Sequence, residues 1–172
     1  LGLFLSFLIL CLFLFWSKGI IYFEYISFCA LFFILGFLDD LKINVRPKFR
    51  LILMIVFLVI LITFNKFYIE NVGIGFLNRF LENDIFGLFF VCLCFLFIIN
   101  GSNLIDGYNG LLSIHTLIIL TNLFFINYLN ENSDLSFFIF CQILVLIVFL
   151  KYNFPKASIF LGDSGSYFLG AF

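Results

Sequence analysis

An all-α, polytopic transmembrane bundle is the fold class that this sequence predicts, and three observations carry it. The 172-residue chain is 65% hydrophobic and 11% charged, where soluble domains run at about 45–50% and about 25%. Its apolar residues form long runs, at 1–16, 20–38, 49–64, 85–99, 111–129 and 135–150, with a further one opening near 167. Short connections rich in Asn, Gly and Asp separate the runs. Six to seven helical spans follow, because only helices or closed barrels satisfy the backbone inside a bilayer. Disorder is excluded by the high hydrophobicity. Nine Lys+Arg against ten Asp+Glu provide no basic surface for nucleic acid.

The elements read as follows. Leu1 to Trp16 lacks the basic start and small-residue cleavage site of a signal peptide, so it reads as a span. The run 20–38 ends in the pair Asp39-Asp40, and 49–64 follows a basic cluster. Several runs fall short of the roughly 20 residues of a perpendicular span; Lys18, Lys66 and Lys151 extend them by snorkelling. In the longest connection, 65–84, Gly73-Ile74-Gly75 marks a turn or short hairpin. The chain reads as one integral-membrane domain, 1–172, incomplete at both ends. Cys11, Cys29, Cys92, Cys94 and Cys141 all lie in apolar runs without a CxxC pair and read as small buried side chains. His115, inside a span, reads as a core residue.

Counting spans places the connections 39–48, 100–110 and 151–166 on one face, because two crossings separate each from the next. That face carries Lys42, Arg46, Lys48, Arg50, Lys151 and Lys156; the other carries Lys18, Lys66 and Arg79. The excess makes the first face cytoplasmic by the positive-inside rule. The acids divide as well. Asp39, Asp40, Asp106 and Asp163 lie on the cytoplasmic face, with Glu24, Glu70, Glu82, Asp84, Glu131 and Asp134 opposite. A carboxylate at membrane depth costs about 2.5–3.5 kcal/mol on insertion scales, so it needs a partner or a task. Four anions at one mouth repel unless cations compensate, and a bound divalent ion is the economical answer.

Each connection offers chemistry. Asp39-Asp40 stands at a helix end with Lys42 and Lys48 behind it, an arrangement that suits a metal or a base beside a phosphate; a solvated turn is the plain alternative. The segment 100–111 packs Asn100, Asn103, Asn109, Asp106 and three glycines between two spans, permitting tight turns and close backbone approach to a ligand. The third segment ends in Gly162-Asp163-Ser164-Gly165-Ser166 before an apolar run, which suits an anion at a helix entrance. A capped helix start explains it equally well, and the GK[ST] ending of a P-loop is absent.

In order and spacing, these segments resemble the polyprenyl-phosphate N-acetylhexosamine-1-phosphate transferases of glycosyltransferase family 4. That family includes the undecaprenyl-phosphate GlcNAc-1-phosphate transferases and the phospho-MurNAc-pentapeptide transferases. The matches are Asp39-Asp40, NxxDGxNGL from Asn103 to Leu111, and FxGDxGS from Phe160 to Ser166. The resemblance implies Mg²⁺-dependent transfer of a sugar-1-phosphate from a UDP-N-acetylhexosamine to a polyprenyl (undecaprenyl) phosphate, with release of UMP. Mn²⁺ is the alternative ion. It assigns Asp163 to the metal and Asn103 to metal or nucleotide. Asp39 and Asp40 handle the lipid phosphate, Asp106 is the nucleotide-side carboxylate, and Phe160 stacks on uracil. Asn100, Asn109, Lys42 and Lys48 complete the expected substrate contacts. The implied setting is the inner (plasma) membrane, multi-pass, with a cytoplasmic site and a homodimer as an open option.

The chain departs from the family pattern in three ways. An N-terminal span with its first cytoplasmic loop, and a His-rich C-terminal loop, have no counterpart here; His115 does not match that loop. Asn109 stands where the pentapeptide-sugar enzymes tend to have Asp, which points to a simple UDP-N-acetylhexosamine. Among competitors, a CDP-alcohol phosphatidyltransferase needs a DGxxAR pattern, which Asp106-Gly107-Tyr108-Asn109-Gly110 fails. A transporter predicts charges at mid-span or on both faces. A non-catalytic scaffold is the remaining alternative.

Overall fold

A computed structural model describes residues 23–43, 46–65, 69 and 71–172, with the backbone alone at Phe23, Glu24 and Tyr25. Among these residues there are helices and no strand, so the all-α expectation holds. The helices are α1 (Phe23–Asp40), α2 (Pro47–Asn65), α3 (Gly75–Leu81), α4 (Asp84–Ile105), α5 (Leu111–Leu129), α6 (Ser133–Asn153) and α7 (Gly162–Ala171). Four of them, α2, α4, α5 and α6, are long and apolar enough to cross a membrane, with mean hydropathy between 1.6 and 2.4. Of the run at 20–38, the described residues, from Phe23 on, fold as α1, which carries Glu24, Asp39 and Asp40. The expected seventh span corresponds to α7, ten residues long and opening at Gly162 rather than near 167. The expected span at 1–16 lies outside the described residues.

Local chemistry sets the helix ends. Pro47 opens α2, where its missing N–H costs nothing. The Asn83 side chain caps α4 by accepting from the N–H groups of Ile85 (3.0 Å) and Phe86 (3.3 Å). In the described part of the 65–84 connection, from residue 71 on, a turn at Gly73 precedes α3, so of the two readings of Gly73-Ile74-Gly75 the turn holds and the hairpin does not. Asn71 and Asn78 supply the reason: the Val72 N–H donates to Asn78 Oδ1 (2.9 Å) and the Gly73 N–H to Asn71 Oδ1 (2.8 Å). Side-chain amides thus satisfy the backbone that a hairpin ladder would otherwise pair.

The outward faces of the long helices are apolar and exposed, with Phe64, Phe89, Phe97, Ile118 and Val148 among them, as lipid contact requires. Inside, α7 packs most extensively against α1 and then α4, α5 pairs with α6, and α2 lies on α4. The core at these crossings includes Cys29, Phe32, Met54, Leu58, Ile99, Leu146 and Phe168.

Two glycines permit the close approach of α7. A Cβ at Gly36 would stand 2.3 Å from the Asp163 carbonyl oxygen, and one at Gly170 would stand 2.8 Å from the Ile99 Cα. Small residues at helix crossings are how membrane helices gain dispersion contact, since lipid offers no hydrophobic drive between them.

Gly36→Ala should therefore push α1 off α7 and destabilise the solubilised protein by about 1–3 kcal/mol or more. Gly75→Ala, where a Cβ meets nothing within 4 Å, should leave the thermal melt unchanged. Equal melts for the two variants would show that the α1–α7 contact is not close.

Candidate active site

The site forms where the C-terminus of α1, the start of α2, the end of α4 and the start of α7 meet. α1 ends in a Schellman arrangement: the Ile43 N–H donates to the Leu38 carbonyl (3.1 Å) and the Lys42 N–H to that of Asp39 (2.8 Å). Lys42 takes the left-handed position, φ 58°, which glycine usually fills. This ending turns the chain sharply and leaves both aspartates at the mouth.

Asp40 reaches across to α7. Its Oδ1 accepts from the Asp163 N–H (2.9 Å) and its Oδ2 from the Ser164 N–H (3.1 Å). It is the cap of α7, supplied from another helix, and its charge complements the helix dipole. Gly162, at φ +68°, leaves the room, since a Cβ there would lie 2.7 Å from the Asp40 carboxylate.

The cap aims Asp163 at Asn103 and Arg50. Asn103 donates from Nδ2 to Asp163 Oδ1 (2.8 Å) and to Ser166 Oγ (2.9 Å). Arg50 Nη1 pairs with Asp39 Oδ2 and lies 3.6 Å from Asp163 Oδ2. The Arg50 guanidinium also stacks over the Tyr167 ring, 5.4 Å from its centroid.

Two carboxyls are displaced upward from the ordinary range. Asp106 is pushed up to about 6, by burial first and then by the Asp163 charge. Asp163 is raised by burial, then by hydrogen bonding with Asp39 and by the charges of Asp39 and Asp40, while Asn103 opposes the shift.

The other expected residues divide. Asn109, exposed, donates to the Pro155 carbonyl (3.3 Å), and the Gly110 N–H donates to Asn153 Oδ1 (2.6 Å). Asn153 in turn donates to the Ile159 carbonyl (2.8 Å), so this buried amide stitches the second loop to the third. Phe160 is 75% exposed at the mouth, and Lys42 and Lys48 are exposed near it in sequence. Asn100 faces elsewhere: its amide donates to the Leu96 carbonyl (2.8 Å) and approaches Met54 Sδ (3.9 Å), which places it in the α2–α4 contact.

Two residues gain roles that sequence reasoning did not give them. From sequence Arg50 is one of the basic residues that suit a phosphate or fix topology; its pairing with Asp39 and Asp163 is what the structure adds. Asn153 carries no signal in its spacing.

The donor set suits a hard divalent cation in part. Asp39, Asp163 and the Asn103 amide present oxygen chemistry, while Asp40 is spent on the α7 cap. Among the described residues no three His, Cys, Asp or Glu are grouped as a ready-made cage. Mg²⁺ needs none, since one or two carboxylates plus substrate phosphates commonly hold it.

The described residues thus form a helical bundle with four helices apolar enough to cross a membrane and an Arg-bridged acidic cluster where α1, α2, α4 and α7 meet. The sequence profile of glycosyl transferase family 4 matches residues 22–172, and the chain belongs to that family. It is similar to phospho-N-acetylmuramoyl-pentapeptide-transferases. That of Clostridium beijerinckii is 32% identical over 157 residues, covering 84% of this chain and 47% of the relative. That of Nitratiruptor sp. is 31% identical over 147 residues, covering 76% and 42%. That of Streptococcus pyogenes serotype M12 is 35% identical over 156 residues, covering 85% and 46%. The chain thus spans about half the length of these relatives. No solved structure matches it.

Two outcomes follow from this geometry. Asp40→Asn can accept with one oxygen instead of two, so it should lower the thermal stability of the solubilised protein by about 1 kcal/mol. An unchanged melt would remove the capping role. For Asp106, the folded value of about 6 stands above the ordinary 3.8. Well below 3.8 both states are protonated; between 3.8 and about 6 only the unfolded state ionises freely, so stability falls over that window and levels off above it. Asp106→Asn should therefore melt higher than the parent protein at pH 7.5, with the gap closing as pH is lowered below 3.8. A gap of the same size at both ends of that range would contradict the shift.

Proposed function

We propose that this chain carries the catalytic face of a phospho-N-acetylhexosamine transferase, acting on a UDP-sugar and a membrane polyprenyl phosphate at the cytoplasmic side of the plasma membrane. The observation that supports it best is the meeting of Asp39 and Asp163 on Arg50, with the Asn103 amide on Asp163, at the ends of four helices, in a chain of glycosyl transferase family 4. The positive excess on that face supports the orientation.

In the reaction, an oxygen of the lipid phosphate attacks the β-phosphorus of the UDP-sugar. The bond from that phosphorus to the oxygen bridging the α-phosphate breaks, and UMP leaves. Two anions must be held in line against their own repulsion, and positioning supplies most of the advantage. Bound at Asp163 with Asn103 beside it, Mg²⁺ (or Mn²⁺) would neutralise charge on the diphosphate. Asp39 lies at the acceptor side, with Arg50 between it and Asp163. Asp40 works through the backbone, holding α7 so that Asp163 faces the cleft. Asp106 and Asn109 border the nucleotide side, with the exposed Phe160 ring offered for stacking on uracil and Lys42 and Lys48 for phosphate. Asn100 is left out of this set.

Donor choice has two supports. Asn109 favours a simple UDP-N-acetylhexosamine, whereas the names of the relatives favour a muramoyl-pentapeptide donor. Membranes expressing the complete reading frame, assayed for UMP release with UDP-GlcNAc, UDP-GalNAc and UDP-MurNAc-pentapeptide, decide between them. Release should require polyprenyl phosphate and a divalent ion. Asp163→Asn should cut it by about 100-fold or more at normal extraction yield, since Mg²⁺ depends on carboxylate charge. Near-normal activity of this variant would remove Asp163 from metal binding, and silence with every donor would overturn the transferase reading.

A further inference from the structure

The oxygens of the acidic site are not equally available. Both Asp40 oxygens receive N–H groups of α7, and Asp163 Oδ1 receives the Asn103 amide. What faces Arg50 is Asp39 Oδ2 and Asp163 Oδ2, and a single nitrogen of the guanidinium lies against both. Arg50 therefore stands where a cation would bridge the two carboxylates. Its side chain is 21% exposed, so it is reachable from the cleft, and it rests on the buried Tyr167 ring. α2 holds it one turn inside a span, where leaving the acids would strand the charge unless another anion arrived.

We propose that Arg50 is the resident counter-cation of the site: it holds Asp39 and Asp163 together in the empty cleft, then yields them to a divalent ion and turns to the phosphates of the donor. The proposal rests on the transferase reading above and adds a donor-binding residue to it. The physical reason is competition. A guanidinium and a divalent ion seek the same oxygens, and arginine does not lose its proton to make way. It can move only toward other negative charge, and its planar fork matches phosphate oxygens. Metal affinity and donor affinity are then coupled through one side chain.

This coupling separates the proposal from a structural salt bridge. If Arg50 only held the fold together, its removal would weaken metal binding along with everything else. If it occupies the metal's place, its removal leaves two carboxylates uncompensated and strengthens metal binding.

The test is Mn²⁺ titration of the complete protein in nanodiscs, with free ion read by electron paramagnetic resonance and Asp163→Asn as the baseline. Arg50→Gln should bind Mn²⁺ about fivefold tighter than the parent protein, the scale of a partly exposed ion pair. Arg50→Lys, which keeps the charge, should bind as the parent does, with a raised KM for the UDP-sugar because the fork is lost. Equal or weaker Mn²⁺ binding by folded Arg50→Gln would overturn the proposal. Should that variant not extract as a folded protein, Arg50→Lys decides: unchanged KM, or Mn²⁺ affinity departing from the parent's, would overturn it. A different failure, in which the parent protein binds no more Mn²⁺ than Asp163→Asn, would overturn the metal-dependent reading and the proposal with it.

Discussion

The structure depends on one carboxylate spent away from the cleft. Asp40 closes the N-terminus of α7 from the end of α1, taking the N–H groups of Asp163 and Ser164. A ten-residue helix beginning Gly-Asp-Ser-Gly-Ser has little drive to form alone, because isolated short helices are marginal. The cap satisfies two of its free donors, and the negative charge favours the dipole end. Gly36 and Gly162 make room for that contact. Once α7 is seated, Asp163 has a fixed place, and Asn103 and Arg50 find it.

The electrostatics follow from the same arrangement. Bringing Asp39, Asp40 and Asp163 within reach of one another is unfavourable unless cations or N–H groups compensate. Here helix N–H groups answer Asp40, and one guanidinium answers the other two. Asp106 rises to about 6 because burial strips water from its carboxyl, with the nearby Asp163 charge adding to the shift. Partly buried charges of this kind stabilise a fold poorly. Their concentration at one mouth makes better sense as readiness for a charged ligand.

Much of this was legible in the sequence. The runs 49–64, 85–99, 111–129 and 135–150 correspond to α2, α4, α5 and α6, because continuous apolarity is an unambiguous signal for a lipid-facing helix. Parity alone placed the three connections at one end, and the hydrogen bonds joining Asp40, Asn103 and Asn153 to them agree. What was not legible is non-local. The start of α7 depends on a side chain more than 120 positions earlier, so no local pattern marks it. For Arg50 the sequence offers a phosphate contact or a topology signal, and cannot show which acid the cation meets. Asn100 and Asn103 are one turn apart and chemically identical, yet one joins helix packing and the other the site.

The central claim is that the loops around Asp39, Asp106 and Asp163 share one membrane face, and that this face is cytoplasmic. Single-cysteine variants at Tyr108, Phe160 and Phe76, all exposed, in a background without the native cysteines, test it most directly. A membrane-impermeant maleimide should label positions 108 and 160 in inside-out vesicles alone, and position 76 in right-side-out vesicles alone. Labelling of 108 and 160 from opposite sides would break the shared site. Labelling of both from the outside would reverse the orientation.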